Sequence, residues 1–184
     1  IVVDQTEERF RNMSLIEDFA DLPLRVIYRD QPGQCSSRNV GLMASRGDYV
    51  ILLDDDVEIG PNVIESLLET VHKNRAGAGS GTVFEPGEGF KNTENSTRTS
   101  DVFPAGISIV SRAALISAGL FDLAYERGQR ADGDLGMRLY LTGQLLLLNS
   151  NISVLHHHAP RGGLRAHKAR VITYASSRRR VLHR

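Results

Sequence analysis

At the position that decides its fold, the chain reads Tyr49-Val50-Ile51-Leu52-Leu53-Asp54-Asp55-Asp56. Five apolar residues without a polar break predict a fully buried strand, and three consecutive carboxylates follow directly at its end. Adjacent carboxylates repel one another and resist ionisation among apolar residues, so the cluster favours a divalent cation as its partner. Carboxylate oxygens suit hard cations such as Mg²⁺ or Mn²⁺. The alternative is an acidic turn that caps a helix beginning near Pro61.

The sequence on either side of this stretch alternates apolar segments with helical patterns. Strands are predicted at residues 1–4, 24–28, 49–53 and 107–110, the Gly-rich residues 76–83 are compatible with a strand, and residues 145–148 and 152–155 are further apolar segments. Helices are predicted at residues 34–45, from Pro61 onward, from the N-cap Ser111 to Gly119, and at 134–140. This alternation predicts an α/β domain with a mostly parallel sheet flanked by helices.

The length and the cysteine count limit the class of protein. The chain has 184 residues, which is enough for one domain with a sizeable core. Its single cysteine, Cys35, excludes an internal disulfide framework and gives no sign of a cysteine-based metal site. The chain begins at Ile1 in what reads as the middle of a strand, so we expect further residues upstream.

Charge is distributed unevenly, although the net charge is zero. All 22 acidic residues lie at or before Asp134, whereas residues 135–184 contain nine Arg or Lys and no acidic residue. The asymmetry favours an anionic partner near the C-terminal part, such as nucleotide phosphates, nucleic acid or a lipid surface. For Arg178-Arg179-Arg180 alone, a solvated basic tail is the simpler interpretation.

A second group of acids, Asp132 and Asp134, lies where the predicted helix 134–140 begins. One carboxylate would cap the helix N-terminus, where negative charge is favoured, and the other would be free to act as a base in a cleft. Two helix-capping acids are the alternative, and the pattern alone does not choose between them.

Two further segments carry ligand-binding side chains near the C-terminus. His156-His157-His158 follows the apolar segment 152–155, and neutral imidazole is a common transition-metal ligand. Taken alone the triplet reads as surface histidines, but an acid cluster at another strand end strengthens the metal interpretation. Arg161-Gly162-Gly163-Leu164-Arg165 combines backbone freedom with two guanidinium groups, which suits a phosphate-binding loop or, equally, a mobile basic loop.

Six short motifs occur in the order seen in one known family. They are Ser37-Arg38-Asn39-x-Gly41, Gly47-Asp48-Tyr49-Val50, Leu53-Asp54-Asp55-Asp56, Gly119-x-Phe121-Asp122, Asp132-Gly133-Asp134-Leu135-Gly136-x-Arg138-Leu139 and Val154-x-His156. In their order and spacing the chain resembles glycosyltransferase family 2, from Ile1 to about Gly163. The resemblance implies a GT-A fold and the use of nucleotide-diphosphate sugars.

The resemblance also implies roles in donor binding. Asp4 matches an acid that recognises the nucleotide base, and Arg38 matches a basic residue near the nucleotide. Asp54 and Asp56 match the two acids of the D-x-D motif. The first is expected near the ribose, and the second is expected to bind the Mn²⁺ or Mg²⁺ ion that bridges the diphosphate. Asp55 is assigned with them to nucleotide-sugar binding.

The remaining roles concern catalysis and the C-terminal part. Asp132 matches the catalytic base of inverting members. Ala131-Asp132 stands where the family often has Glu-Asp, which leaves Asp132 as the better base and Asp134 as the alternative. His156 matches a histidine near the metal, and Arg161 is assigned to the nucleotide sugar. The family's first strand and helix have no counterpart, so we expect an N-terminally incomplete domain over 1–163, followed by a basic segment over 164–184.

The implied activity is that of a metal-dependent inverting glycosyltransferase that acts on a glycan, lipid-linked or small-molecule acceptor. Two alternatives remain open: a nucleotidyltransferase on a similar sheet, and a non-catalytic module that binds glycans or other anions. Nucleic acid is not an expected partner, because the acid cluster would repel phosphate unless metal is bound. We expect a cytoplasmic protein whose basic segment is the place for any peripheral membrane contact.

Overall fold

In the computed structural model, the described residues are 1–86, 96–101, 103–104, 106–126 and 130–157. The helices are α1 (Leu15–Asp18), α2 (Gln34–Ala44), α3 (Val63–Asn74), α4 (Arg112–Ala118) and α5 (Ala131–Leu141). The strands are β1 (Val2–Asp4), β2 (Val26–Tyr28), β3 (Tyr49–Leu53), β4 (Val57–Ile59), β5 (Ala78–Phe84), β6 (Thr97–Thr99), β7 (Ile107–Ser111) and β8 (Leu146–His156). His158, Arg161 and the basic segment 164–184 lie outside the described residues.

The described strands form a small sheet and a larger one. β1 and β2 pair in parallel as the small sheet. The larger sheet has six strands in the order β3-β7-β5-β8-β4, and β6 pairs with β8 on the same edge as β4. The central strand β8 therefore pairs with β5 along one edge and with two short strands along the other.

The α/β class with helices flanking a central sheet is confirmed, but the expectation of mostly parallel strands is wrong. Among the described strands, four of the six pairings are antiparallel, and only β1–β2 and β5–β8 are parallel. The chain passes from β5 to β7 through β6 with no helix among the described residues of that connection. Antiparallel neighbours need no crossover helix. The alternation of strands and helices along the chain therefore does not predict whether these strands run parallel or antiparallel.

Side chains alternate between the two faces of the large sheet. Along β3, Val50 and Leu52 pack with α2, α4 and α5, whereas Tyr49 and Ile51 pack with α3. The first face buries an apolar cluster that includes Leu42, Leu115, Leu135 and Leu139, and the second one includes Leu67, Val71, Ile109 and Val154. By the same alternation, Asp54 continues the row on the α2 face.

The expectation that β3 is fully buried is wrong. Its residues are half-buried, and Leu53 is 44% exposed. Within the described residues β3 stands at one end of the sheet order, with β7 as its only strand neighbour, so one edge has no strand against it. An uninterrupted apolar run does not distinguish an end strand from a central one.

Two helix boundaries agree with the sequence. The Ser111 hydroxyl accepts a hydrogen bond from the Ala114 N–H at the start of α4, and the helix ends at Gly119, whose φ is +78°. Glycine adopts such a φ without strain, which accounts for the end of the helix.

In the part of the chain that the structure describes, no helix is both long enough and apolar enough to cross a membrane.

Candidate active site

The first part of the site is the ion pair between Arg38 on α2 and Asp54 at the end of β3. The Arg38 guanidinium donates to Asp54 Oδ1 at 2.8 Å, and the two side chains are 18% and 37% exposed. The Asp54 N–H also donates to the Gly106 carbonyl at 3.2 Å, which fixes the backbone where β3 ends. A side chain at position 106 would come within 2.9 Å of Asp54 Oδ2, so glycine leaves space for this carboxylate.

The second part of the site is the contact between Asp56 and His156. Strand β4 begins at Val57, directly after the three aspartates. It pairs antiparallel with the end of β8, with Val57 opposite His156. This register places Asp56 Oδ2 3.1 Å from His156 Nε2, and the His157 N–H donates to the Asp56 carbonyl at 2.7 Å. Two residues 100 positions apart in the sequence thus meet at one turn.

The acid cluster is less buried than its sequence suggested. Asp55 is exposed, and the Asp54 and Asp56 side chains are 37% and 40% exposed. Arg38 balances the charge of Asp54, so burial of like charges does not by itself require a cation here. An argument for a metal site here therefore depends on the geometry of Asp56 and His156.

That geometry fits a partial metal site. Adjacent ligands about 2.1 Å from an octahedral ion lie about 3.0 Å apart, close to the separation of Asp56 Oδ2 and His156 Nε2. Among the described residues, no group of three or more His, Cys, Asp or Glu side chains could hold a metal ion. A site with one or two protein ligands is typical of Mg²⁺ or Mn²⁺ when substrate phosphates and water complete the coordination.

Asp132 and Asp134 have opposite surroundings in the first turn of α5. Asp134 is buried and forms an ion pair with Arg138, whose Nε and Nη2 both lie 2.9 Å from Asp134 Oδ2. Arg138 also donates to three carbonyls at the end of α4 and just beyond it, those of Ala118, Gly119 and Leu120. Asp132 is half-buried and, among the described residues, accepts one hydrogen bond, from the N–H of its neighbour Gly133. The geometry thus assigns Asp134 to packing and leaves Asp132 available for chemistry.

The described residues of the stretch from Asp101 to Gly106 contact Asp54 on one side and α5 on the other. Gly136 on α5 packs so closely against this segment that an added Cβ would be 3.0 Å from the Phe103 N and 3.3 Å from the Asp101 O. Phe103 is buried in the same apolar cluster as Leu135 and Leu139. The segment contacts Asp54 through Gly106 and α5 through Phe103, which connects the acid cluster to the helix that carries Asp132. No hydrogen bond or ion pair in the described part of the chain joins Asp132 directly to Asp54, Asp55 or Asp56.

Asp4, the residue assigned to the nucleotide base, ends β1 in the small sheet. Hydrogen bonds from the Thr6 hydroxyl and the Thr6 N–H lower the pKa of Asp4, and the positive charge of Arg11 lowers it further. Arg11 donates to the Thr6 carbonyl at 3.0 Å and to Asp30 at 2.8 Å. Asp4 is therefore held as an anion, which suits recognition of a donor N–H on a base.

Sequence reasoning missed two residues near this site. Asn39 donates to the Phe121 carbonyl and accepts the Phe121 N–H, both at 2.8 Å, and thus joins two of the motifs quoted above. Glu126 accepts hydrogen bonds from the backbone at the start of α2. Asn39 stood in a quoted motif and its role was still invisible, because its partner lies 82 positions away. No pattern in the sequence singled out Glu126.

The family model for glycosyl transferase family 2 matches residues 1–134. A glycosyltransferase of Haemophilus influenzae is 35% identical over 75 residues, which is 40% of this chain and 24% of that protein. The glucosyl-dolichyl phosphate glucuronosyltransferase of Haloferax volcanii is 37% identical over 76 residues, again 40% of this chain and 24% of that protein. The chain thus spans about a quarter of the length of these relatives.

The fold is shared with solved glycosyltransferases. A crystal structure of GalNAc-T7 with UDP, GalNAc and Mn²⁺ superposes with a TM-score of 0.74 at 16% identity, covering 87% of this chain and 38% of that one. At this identity the likeness concerns the fold alone. Together with the family match over most of the chain, it shows that this glycosyltransferase domain belongs to glycosyltransferase family 2 and has the GT-A fold.

Proposed function

We propose that this domain is a metal-dependent inverting glycosyltransferase that moves a sugar from a nucleotide-diphosphate sugar to an acceptor hydroxyl. The observation that carries the proposal is the contact between Asp56 and His156. Asp56 comes two residues after Asp54, which forms the ion pair with Arg38 at the end of β3. A carboxylate and an imidazole at this separation suit a divalent cation, and the adjacent acid and guanidinium suit a nucleotide.

The donor would bind along the ends of β1 and β3. Asp4 would accept an N–H of the base, and Asp54 would accept a ribose hydroxyl. Arg38 holds Asp54 through the 2.8 Å contact, so the ribose-binding carboxylate is fixed by α2. The GalNAc-T7 structure contains UDP, which makes uridine diphosphate the first nucleotide to test here.

Asp56 and His156 would hold the cation, Mn²⁺ or Mg²⁺, and histidine ligation favours Mn²⁺. When bound, such an ion supplies a Lewis acid that stabilises the charge of the leaving diphosphate. The antiparallel register of β4 and β8 keeps the carboxylate and imidazole together, so both ligands are in place before the donor arrives. This preorganisation reduces the free-energy cost of binding.

Asp132 would take the proton from the acceptor hydroxyl as it attacks the anomeric carbon. The new bond to the acceptor oxygen forms while the bond to the diphosphate oxygen breaks, and direct displacement inverts the configuration at that carbon. A positioned carboxylate is a common base for such a step. The Haloferax relative is named for a dolichyl-phosphate-linked sugar, so lipid-linked glycans belong among the acceptors to be screened.

Isothermal titration of UDP in the presence and absence of Mn²⁺ tests the metal assignment. We expect Asp56→Ala to abolish the metal-dependent part of UDP binding while the far-ultraviolet circular dichroism spectrum stays native. Glu58→Ala is a matched control, because it removes a carboxylate from the same strand pair that bonds His157 instead of His156. Unchanged Mn²⁺-dependent affinity in Asp56→Ala would show that the metal lies elsewhere.

A turnover assay separates the sugar-transfer proposal from the alternatives. Release of UDP from sugar nucleotides in the presence of an acceptor supports glycosyl transfer. Activity with a sugar 1-phosphate and a nucleoside triphosphate would instead identify a nucleotidyltransferase. Metal-independent binding without turnover of any sugar nucleotide would identify a non-catalytic module.

A further inference from the structure

The first turn of α2 is capped by a carboxylate that lies some 90 residues further along the chain. The Cys35 N–H donates to Glu126 Oε2 at 2.6 Å, and the Ser36 N–H donates to both Glu126 oxygens at 3.1 and 3.2 Å. Helix α2 has Gly33 at its N-cap position, with no side-chain hydrogen bond from that residue. Glu126 therefore supplies the acceptor that the start of this helix needs.

The charge on Glu126 belongs to this arrangement. Burial raises the pKa of Glu126, but hydrogen bonds from Ser36 and Cys35 outweigh it, and the pKa lies below its ordinary value. An anion at a helix N-terminus is further stabilised by the helix dipole. Position 33 must also be small, because a Cβ there would overlap the Glu126 carboxylate.

A second attachment lies one turn further along α2. Asn39 forms the reciprocal pair of hydrogen bonds with the Phe121 backbone, and the Phe121 ring lies 5.4 Å from the Arg38 guanidinium carbon. Residues 121–126 are thus hydrogen-bonded to α2 on both sides of Arg38. Glu126 bonds to residues 35 and 36, and Phe121 bonds to residue 39. Arg38 stands between the two attachments and makes the ion pair with Asp54.

We propose that Glu126 is a positioning residue for the donor: by holding the first turn of α2, it keeps the Arg38 guanidinium in place against Asp54. The proposal rests on the proposed function of the Arg38–Asp54 pair and adds a residue that lies outside all of the motifs. Glu126 acts through Arg38 rather than by touching the nucleotide.

A double-mutant cycle tests this coupling, with the dissociation constant of UDP in the presence of Mn²⁺ as the readout. We expect Arg38→Ala and Glu126→Ala each to weaken binding by about tenfold or more, a usual scale for residues in one network. The double variant should bind as weakly as Arg38→Ala alone, since Glu126 has nothing left to position. Additive losses, or full affinity in Glu126→Ala, would overturn the proposal.

Three further variants keep the test decisive. Glu126→Gln retains the size of the side chain and removes its charge, and Gly33→Ala displaces the carboxylate from the opposite side; both should weaken binding in the same direction. If Glu126→Ala fails to fold, these two carry the cycle. Glu65→Ala removes an exposed carboxylate from α3 and should leave the dissociation constant unchanged. Loss of affinity in Glu65→Ala equal to that in Glu126→Gln would overturn the proposal.

A ligand-free readout separates this inference from the proposed function. The guanidinium NMR signal of Arg38, assigned by its absence in Arg38→Lys, should shift or broaden in Glu126→Gln without any nucleotide present. If the wild-type protein shows no Mn²⁺-dependent UDP binding, the proposed function fails and this signal still decides the positioning role. An unchanged signal would overturn that role.

Discussion

Asp132 and Asp134 are identical side chains, two residues apart, with different surroundings. Asp134 points into the protein and is 3% exposed, where Arg138 balances its charge. Asp132 is half-buried, and within the described residues its carboxylate accepts one backbone N–H. The sequence pattern left the choice of base open, and the burial of Asp134 now favours Asp132 on physical grounds.

Substitution of the two acids by asparagine should therefore have different consequences. Asp132→Asn should leave the free energy of unfolding nearly unchanged and lower turnover by ~100-fold or more, the usual scale for losing a general base. Asp134→Asn should leave Arg138 partly unpaired and lower the free energy of unfolding by about 2–4 kcal/mol. Urea unfolding and steady-state assays at saturating donor measure the two effects. Full turnover in Asp132→Asn would move the role of the base to another group.

The candidate site residues could be named from the sequence to the extent that residue type and order were sufficient. The acids at the end of β3, Asp132 and His156 are predicted in that way. The structure places His156 against Asp56, and the chemical roles of these residues stay predictions. The Arg38–Asp54 ion pair and the cap from Glu126 could not be predicted, because they depend on distances between segments far apart in the chain.

At the scale of elements, the short strand β4 is the part of the site that the sequence pattern does not predict. Val57-Glu58-Ile59 alternates as a strand should, but three residues are too few for the pattern to be distinctive. The sequence pattern indicates two separate apolar segments where β8 lies, because the polar residues 149–151 interrupt it. It is one strand, since β6 pairs with residues 147–149 and β4 with residues 154–156. The extent of β4 and β8 is therefore determined by the strands that they pair with rather than by local composition.

Helix α5 offers a matched pair of glycines for testing how the site is supported. An added Cβ at Gly133 meets no described residue within 4 Å, whereas one at Gly136 lies 3.0 Å from the Phe103 backbone N. Gly133→Ala should raise the free energy of unfolding by about 0.5 kcal/mol, because alanine loses less backbone entropy in a helix.

Gly136→Ala should instead lower that free energy by about 1–2 kcal/mol, because backbone against backbone cannot give way as a flexible side chain can. The same variant should shift the backbone of Asp101 and Phe103 and weaken nucleotide binding through Gly106 and Asp54. Chemical denaturation of the two variants beside the wild type measures the contrast. Equal stability of the two would show that the segment does not pack on α5 as described.

At the scale of the whole molecule, the buried residues are concentrated in the large sheet and its helices. No residue among 1–34 is buried, although this part contains β1, β2 and the candidate base-binding residue Asp4. Its links to the rest of the described chain include polar ones. Arg29 donates to the Ser36 and Ser37 hydroxyls of α2, each at 2.8 Å, and Val3 lies against α2 at Gly41, where a Cβ would be 3.3 Å from the Val3 side chain. The candidate base-binding residue thus lies on the least buried part of the described chain.

This uneven burial leads to a prediction for native-state hydrogen exchange. Segments with few buried apolar contacts open at lower free energy than the core of the same domain. We expect the amides of β1 and β2 to exchange at least ~100-fold faster, relative to their intrinsic rates, than those of β5 and β7. UDP with Mn²⁺ should raise the protection of β1, because Asp4 at its end would then hold the base, while β5 should change little. Equal protection of β1 and β5 in the free protein would show that residues 1–34 unfold together with the core, and the nucleotide would then bind to a preformed surface rather than stabilise one.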